Sequence, residues 1–315
     1  DQPMVKVYDV RELSMKVARR LDAEITQFEI LSEDYGKIAF LLADRKIVFH
    51  APYGMHYHVR VPKIGRDMIY SQSAAEILVG GCTPDIYRLN LDQGRFMRSL
   101  TSCSPGVNVM HQSPMHQLLG CGGEDGVVEC WDPRVNKSVG KTNLRAAVKS
   151  SGQVSVHQDL ECSALQFDSD GLTMAAGTSS GHCLIYDLRS AKPLMTKEHQ
   201  YGLPIKNIRF HNGAQKILSA DSKVIKMWDR ADGKIFTNIE TPANVNDVCI
   251  VEDKRGQSGL MLCASEQTRC LSYYIPQLGH APSWASFLDT ITDELEETKE
   301  AEVYDDYKFV TRDQL

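Results

Sequence analysis

The sequence predicts an all-β propeller, on three observations. A segment recurs with a period of roughly 40–45 residues, an aromatic residue closes one strand of each period, and Gly- or Asp-rich turns separate short β-branched runs. The aromatic residues are Tyr8, Phe49, Tyr87, Trp131, Tyr186, Trp228 and Tyr273, at steps of 41, 38, 44, 55, 42 and 45 residues. Asp follows at Tyr8, Trp131, Tyr186 and Trp228. Trp-Asp at this period marks a WD repeat, in which each period is one four-stranded blade. Such a body is mostly rigid surface, and it seldom carries catalysis on the repeat itself.

Taken in order, the chain opens with Val5–Val10, a single strand ahead of the first aromatic residue where two more are due. Strands follow at Ile25–Ile30, Lys37–Leu42 and Arg45–Phe49. The middle of the chain shows the scheme most clearly. Leu165–Asp168, the turn Ser169-Asp170-Gly171, Leu172–Ala176, the turn Gly177–Gly181 and Cys183–Tyr186 make one unit. The next is Ile205–Phe210, Asn212-Gly213, Lys216–Ala220, Asp221-Ser222, Val224–Trp228 and Asp232-Gly233 into Lys234–Ile239. Asn-Gly and Asp-Gly are strong hairpin signals because both tolerate the positive φ of tight turns. Val245–Ile250 and Leu260–Ser265 begin a last unit. The expected fold is therefore a propeller over residues 1–281 with seven blade positions, the first incomplete. The other arrangement is six blades closed by Val5–Val10. Seven is favoured because the segment after Tyr8 continues as an outer strand does. Under that count propeller sequence precedes Asp1.

Residues 282–315 have a different texture. Trp284, Phe287, Leu288, Ile291 and Leu295 form a helical stripe that Ser283 is placed to cap, and it should dock on the propeller side or on a partner. An acidic segment and then an extended aromatic tail follow. The net charge of −6 comes from here: residues 289–306 hold nine acidic side chains and one lysine, which leaves residues 1–288 near neutral. Global charge thus argues neither for nor against nucleic acid, and local patches must decide. An apolar fraction of 42% with 24% charged residues is ordinary soluble globular composition. No apolar run approaches the ~18 residues that span a bilayer, and no secretory n-region and h-region open the chain. The nine cysteines include no Cys-x-x-Cys pair, and those in strands (Cys130, Cys183, Cys270) read as small buried residues in a reducing compartment.

Catalytic constellations are not evident. There is no Gly-x-Ser-x-Gly, no phosphate-cradling Gly-x-x-x-x-Gly-Lys and no His-Glu-x-x-His, so no enzyme is expected and no cofactor. Gly120-Cys121-Gly122-Gly123 reads as a strand-to-strand turn. His56 and His58, on one face of an outer strand, lack a cysteine or carboxylate at ligand spacing and read as a solvated edge; His111 and His116 flank a turn and read the same way. Two basic loops are candidates for gripping RNA phosphates: Arg60, Lys63 and Arg66 between blades, and Lys141, Arg145 and Lys149 in an insertion near residues 141–160. Each is equally readable as solvated loop charge. Trp131-Asp132-Pro133-Arg134 and Tyr186-Asp187-Leu188-Arg189 resemble the motif of propeller substrate receptors of cullin-type ubiquitin ligases, with a local salt bridge as the plainer reading of the arginines. In the tail, Tyr304, Asp305, Asp306, Tyr307 and Phe309 are candidates for partner contact, because a solvated acidic linker needs no rings. The competing possibility is a strand folded on the propeller's own edge.

A set of stretches together resembles one family. They include Ile64-Gly65-Arg66-Asp67, Tyr87-Arg88-Leu89-Asn90-Leu91, Val128-Glu129-Cys130-Trp131-Asp132-Pro133-Arg134, His199-Gln200-Tyr201-Gly202-Leu203-Pro204-Ile205-Lys206, Leu218-Ser219-Ala220-Asp221-Ser222 and Tyr304-Asp305-Asp306-Tyr307-Lys308-Phe309-Val310-Thr311. From about Val5 to the last residue the chain is similar to the nucleolar protein 10 family, called essential nuclear protein 2 in yeast, whose members are WD-repeat subunits of the small-subunit processome. The resemblance implies a longer protein, a nucleolar location, and non-enzymatic scaffolding of small-subunit pre-ribosomes during 18S processing. It implies as partners the processome proteins, with pre-rRNA and the U-three guide RNA nearby, and neither membrane nor small-molecule substrate.

Overall fold

The computed structural model describes residues 3–34, 36–150, 160–254 and 256–306, the last ten of these by backbone alone. Antiparallel sheets account for nearly all of it. One two-stranded sheet (Met4–Asp9, Ser14–Arg20) is followed by six blade-sized sheets. Blade 1 is Ile25–Ile30, Ile38–Leu42, Lys46–Ala51 and Gly54–Arg60. Blade 2 is Gly65–Ser71, Glu76–Gly81, Asp85–Asn90 and Arg95–Phe96, with Leu100–Thr101 also pairing its third strand. Blades 3, 4 and 5 each have four strands, beginning at Val107–Gln112, Cys162–Phe167 and Asn207–His211. Blade 6 has three: Val245–Asp253, Gly256–Ser265 and Leu271–Tyr274. Every blade zigzags outward from its first strand, and the first strands of all six line a shared central cavity of ≈ 720 Å3.

The all-β WD-type class is as expected; the blade-sized sheets number six among the described residues, one fewer than the seven expected blade positions. Residues 4–20 supply only a hairpin at the first position, too short for a four-stranded blade. That hairpin packs Val5 against Phe40, Leu42 and Val48 of blade 1, and Arg19 donates to the carbonyls of Ala51 (2.8 Å) and Pro52 (2.7 Å). The missing neighbour explains one further departure. Trp131, Tyr186, Trp228 and Phe49 are buried and Tyr87 and Tyr273 half-buried, but Tyr8 is 54% exposed because no adjoining sheet covers it.

Blades press together along their first two strands, and small residues set how closely. Gly120–Gly123 is not a turn but lies within the second strand of blade 3, Leu119–Gly123. A Cβ on Gly122 would run into Cys162 of blade 4, and one on Gly177 would sit 2.8 Å from Ile205 of blade 5. The glycines are there because the neighbouring inner strand occupies the space a side chain needs. Apolar clusters fill the rest of each seam, such as Ala175, Ile185, Ile205, Ile208, Phe210, Ile217 and Trp228 between blades 4 and 5. All nine cysteines are free thiols; Cys121, Cys162, Cys183 and Cys263 are buried, whereas Cys270 is exposed, lying ahead of the short edge strand Leu271–Tyr274.

The insertion is built differently from a plain loop. Residues 141–143 finish the outer strand Lys137–Asn143, and Leu144–Ser150 forms helix α1. The side chain of Asn143 accepts from the N–H of Ala146 (3.0 Å), as an N-cap does, and Leu144, Ala147 and Val148 enter the blade 3–4 core. After blade 6, two short 3-10 turns (Pro276–Leu278, Ser283–Ala285) lead into helix α2, Phe287–Asp306. Leu278 packs into the core shared by blades 5 and 6, and Ala281 and Ala285 are buried as well. No serine side chain caps the Ser283–Ala285 turn. The Asp289 carboxylate pins the helix start instead, accepting from the Tyr274 hydroxyl and the Ala281 N–H.

Truncating Trp228 removes a ring at 2% exposure and one of the two hydrogen bonds at the Ser219 hydroxyl. Trp228→Ala is expected to cost ~3–5 kcal/mol in equilibrium denaturation, whereas the same change at the exposed ring of Tyr8 should cost far less.

Candidate nucleic-acid interface

Because each blade ends on its outer strand and the next begins at the centre, all blade-to-blade connections emerge at one end of the propeller. The basic candidates sit there or near it. Arg60 closes the outer strand of blade 1, and Lys63 lies in the connection to blade 2; both are exposed. Arg66 is half-buried and already engaged, donating to the Asn108 side chain (2.6 Å) and forming an ion pair with Glu124 of blade 3. In the insertion, Lys149 is exposed in the last turn of α1. Lys141 reaches back to Glu129 at 3.3 Å. Burial of Glu129 works against its charge, but donors on Ser138, Cys103 and Ser102 more than offset that and hold its pKa at about 2. Arg145 is half-buried, its Nε without a hydrogen-bond partner among the described residues. The structure therefore presents Arg60, Lys63 and Lys149 outward and ties Arg66 and Lys141 to carboxylates.

The central cavity has a mixed character. Asp67, 6% exposed, accepts from its neighbour Met68 N–H (2.8 Å), Met110 N–H of blade 3 (2.5 Å) and the Gln27 amide of blade 1 (3.0 Å). Burial pushes its pKa up to about 6. Glu29 of blade 1 is driven to about 7, first by burial and then by the Asp67 charge. Burial, with Arg209 nearby, lowers His111 to about 4, and its Nδ1 accepts the Phe167 N–H (3.1 Å). The lining also carries Lys206 and Arg209, so the cavity holds side chains of both charges.

One constellation escaped the reading of the sequence. Where the blade 4–5 connection meets blade 5, His199 Nδ1 lies 2.9 Å from Asp221 Oδ2 and His199 Nε2 lies 2.7 Å from Ser219 Oγ. The residue types and order of contacts are those of a hydrolase triad. The chemistry is not: His199, Asp221 and Ser219 are at most 2% exposed, and the Trp228 indole N–H donates to Ser219 Oγ at 3.2 Å. A hydroxyl saturated on both sides and closed to substrate cannot act as a nucleophile. Asp221 Oδ1 also accepts from the N–H groups of Lys223 (2.6 Å) and Val224 (2.7 Å), fixing the hairpin between the second and third strands. The network is a brace. Its signal was the alignment of His199, the Ser219-Ala220-Asp221 run and Trp228-Asp229 within a single repeat.

The remaining candidates separate. Arg189 chelates its own Asp187 through Nε (2.9 Å) and Nη2 (2.6 Å), the local salt bridge of the plainer reading, while Arg134 is exposed with its N–H bonded to Asp132 (2.8 Å). His56 and His58 are exposed, and no group of three metal-ligating side chains occurs among the described residues. Tyr304, Asp305 and Asp306 fall in the backbone-only part of α2, and Tyr307 and Phe309 lie outside the described residues.

Residues 2–299 match the β-propeller family described as "Nucleolar protein 10-like, N-terminal domain". The whole chain is 48% identical to "Nucleolar protein 10" of Xenopus tropicalis, covering 45% of that protein. It is 43% identical to "Ribosome biogenesis protein enp2 homolog" of Schizosaccharomyces pombe and 39% identical to "Ribosome biogenesis protein ENP2" of Saccharomyces cerevisiae, covering 50% and 43% of those proteins. The chain thus spans about half the length of the curated relatives it matches. A chain of the "Crystal Structure of Mitotic Checkpoint Complex" shares the fold, with a TM-score of 0.64 at 16% identity over 83% of this chain and 81% of that one.

The raised pKa of Glu29 has a signed consequence. An acid protonated more readily in the folded state loses stabilisation as pH rises from its unfolded value toward about 7. Glu29→Gln should therefore gain Tm relative to the parent between pH 5 and pH 8. A Tm difference that does not change with pH would count against the assignment.

Proposed function

The chain belongs to the nucleolar protein 10-like family, and from that premise we propose that it is a non-enzymatic scaffold of ribosome biogenesis in the nucleolus. Its propeller takes part in assembling the small-subunit processome for 18S pre-rRNA processing. Processome proteins are its direct neighbours, with pre-rRNA and the U-three guide RNA close by. The observation that carries this is similarity along the entire chain to two yeast proteins named for ribosome biogenesis. The surface agrees with a scaffold: a rigid body with a basic rim at one end and a triad-like network sealed inside it.

In this reading Arg60, Lys63 and Lys149 carry most of the RNA contact, since Arg66, Lys141 and Arg145 are more enclosed or already paired. Phosphate contacts of this kind are read by charge and shape without base specificity. The tail carries a separate role: Tyr304, Tyr307 and Phe309 seat in apolar pockets of a partner, with Asp305 and Asp306 toward its basic groups.

Two experiments test these assignments. Exposed ion contacts are worth at most about 1 kcal/mol each, so reversing Arg60, Lys63 and Lys149 together should weaken crosslinking to pre-ribosomal RNA by about tenfold at physiological salt. Unchanged crosslinking would mean that protein partners alone hold the propeller. Deleting residues 298–315 should leave the propeller's Tm intact and release it from the pre-ribosomal particle. A fall in Tm with assembly merely following would place the tail in the fold itself.

A further inference from the structure

Blade 1 carries a pocket on each of its faces, at the propeller end away from the blade-to-blade connections. The larger, ≈ 470 Å3, lies toward blade 2. Phe49, Tyr53, His56, Tyr57 and Tyr70 wall it, and Leu31 and Leu91 form a floor on the core between blades 1 and 2. Tyr57 stacks on Phe49, with ring centroids 4.4 Å apart and planes 13° from parallel. The Tyr53 hydroxyl lies 2.6 Å from His56 Nδ1, yet the Tyr53 side chain is 75% exposed. The smaller pocket, ≈ 150 Å3, lies toward the first hairpin, among Val5, Val7, Val17, Ile38 and Phe40. His50, Ala51 and Pro52 are a wall common to both. Open rings gathered over an apolar floor mark a contact surface.

The polar groups decide what fits. No carboxylate lines the larger pocket and Lys37 does, so a cation is repelled. Glu33 and Asp34 stand exposed in the adjoining turn, so a phosphate is repelled as well. Asp34 is occupied within its own turn, accepting the Gly36 N–H at 3.1 Å. Arg19 lines the smaller pocket but is committed to the carbonyls of Ala51 and Pro52 and to His50 Nδ1 (3.2 Å). Burial and the Arg19 charge lower the pKa of His50, which keeps that wall uncharged. The same bonds use up the wall's acceptors, and the groups left to a ligand are the Lys37 ammonium and the tyrosine hydroxyls. An uncharged ligand that accepts hydrogen bonds and has few to give meets all these conditions. Among peptides that describes proline, which brings a ring and a carbonyl and no N–H. A polyproline II helix repeats every three residues over ~9 Å. Packed sheets are ~10 Å apart, so prolines one turn apart reach the pockets on the two faces of one blade.

We propose that these paired pockets on blade 1 bind a proline-rich, extended segment of a protein partner. One proline enters among Tyr53, Tyr57 and Tyr70, and another beside Ile38 and Phe40. The residues between them cross the His50–Pro52 wall, and Lys37 donates to a peptide carbonyl. The site goes beyond the ribosomal reading and lies at the opposite end of the propeller from Arg60 and Lys63.

The test uses the purified intact protein carrying 3-fluorotyrosine, with the resonances of Tyr53, Tyr57 and Tyr70 assigned through single Tyr→Phe variants. It is titrated with a peptide of Pro-Pro-Gln repeats about twelve residues long, and with an Ala-Ala-Gln control of equal length. A decauridylate RNA and a peptide bearing trimethyllysine are the other two probes. The proline peptide should shift all three resonances saturably and bind at least fivefold more tightly than the alanine control. Tyr53→Ser and His56→Ala, both at exposed side chains, should each weaken that binding at least fivefold with Tm unchanged. Equal binding of the two peptides, binding that neither variant alters, or resonances that do not move would overturn the proposal. Tighter binding of the RNA or of the trimethyllysine peptide at these resonances would overturn it too, making the pocket a nucleic-acid or a cation site.

Discussion

A single blade is a twisted sheet with two faces, and it cannot bury both by itself, so its stability depends on the seam with the next blade. In this chain the seam is made by the inner strands, and it is hydrogen-bonded as well as packed. Asp67 receives donors from blades 1 and 3 together. The Asn108 amide reaches Glu161 and the Cys162 carbonyl of blade 4, and the Ser163 hydroxyl donates to the Ile205 carbonyl of blade 5. Lys206 donates to the Val245 carbonyl of blade 6. Polar side chains near the start of each inner strand therefore lead round the ring from blade 1 to blade 6. The cost of burying Asp67 in this belt appears as its raised pKa. A buried carboxylate that accepts three donors is tolerated because removing it would strand those donors.

That belt also explains why the two ends of the arc differ. Blades 2 to 5 have a neighbour on each side, and their aromatic residues are covered or half-covered. The hairpin at the first position offers two strands only, and its face bearing Met4, Tyr8 and Met15 is exposed. At the other end, blade 6 has three strands among the described residues, and Leu278, in the turn after them, packs into its core.

Period and turn chemistry made the propeller legible, because they are local properties. Lys216–Ala220 is the observed strand to the residue, and the Asp221-Ser222 hairpin lies where its side-chain caps require. What the sequence concealed depends on contacts between repeats. Gly120–Gly123 looks like a turn when only φ freedom is considered; it is a strand because Cys162, over 35 residues away, needs the room. Cys270 looks like a core residue because its neighbours are strand-like, yet it is exposed beside a short edge strand. The basic candidates show the same division. Their charge was readable, but Arg60, Arg66 and Lys141 lie in strands and Arg145 and Lys149 in α1 rather than in loops, and the capture of Arg66 by Glu124 and of Lys141 by Glu129 depends on a carboxylate 58 residues away in one case and one strand away in the other.

Charge is thereby sorted into three places with different uses. Acids inside the ring serve the seam, where burial holds Glu29 near neutrality. Bases at the rim remain in water, where screening keeps each contact weak and reversible. Carboxylates also accumulate in the sequence of α2, after the last blade. The same physics places them: a carboxylate is buried where neighbouring strands supply donors, as at Asp67, and a long basic side chain keeps its head in water, as at Arg60, Lys63 and Lys149.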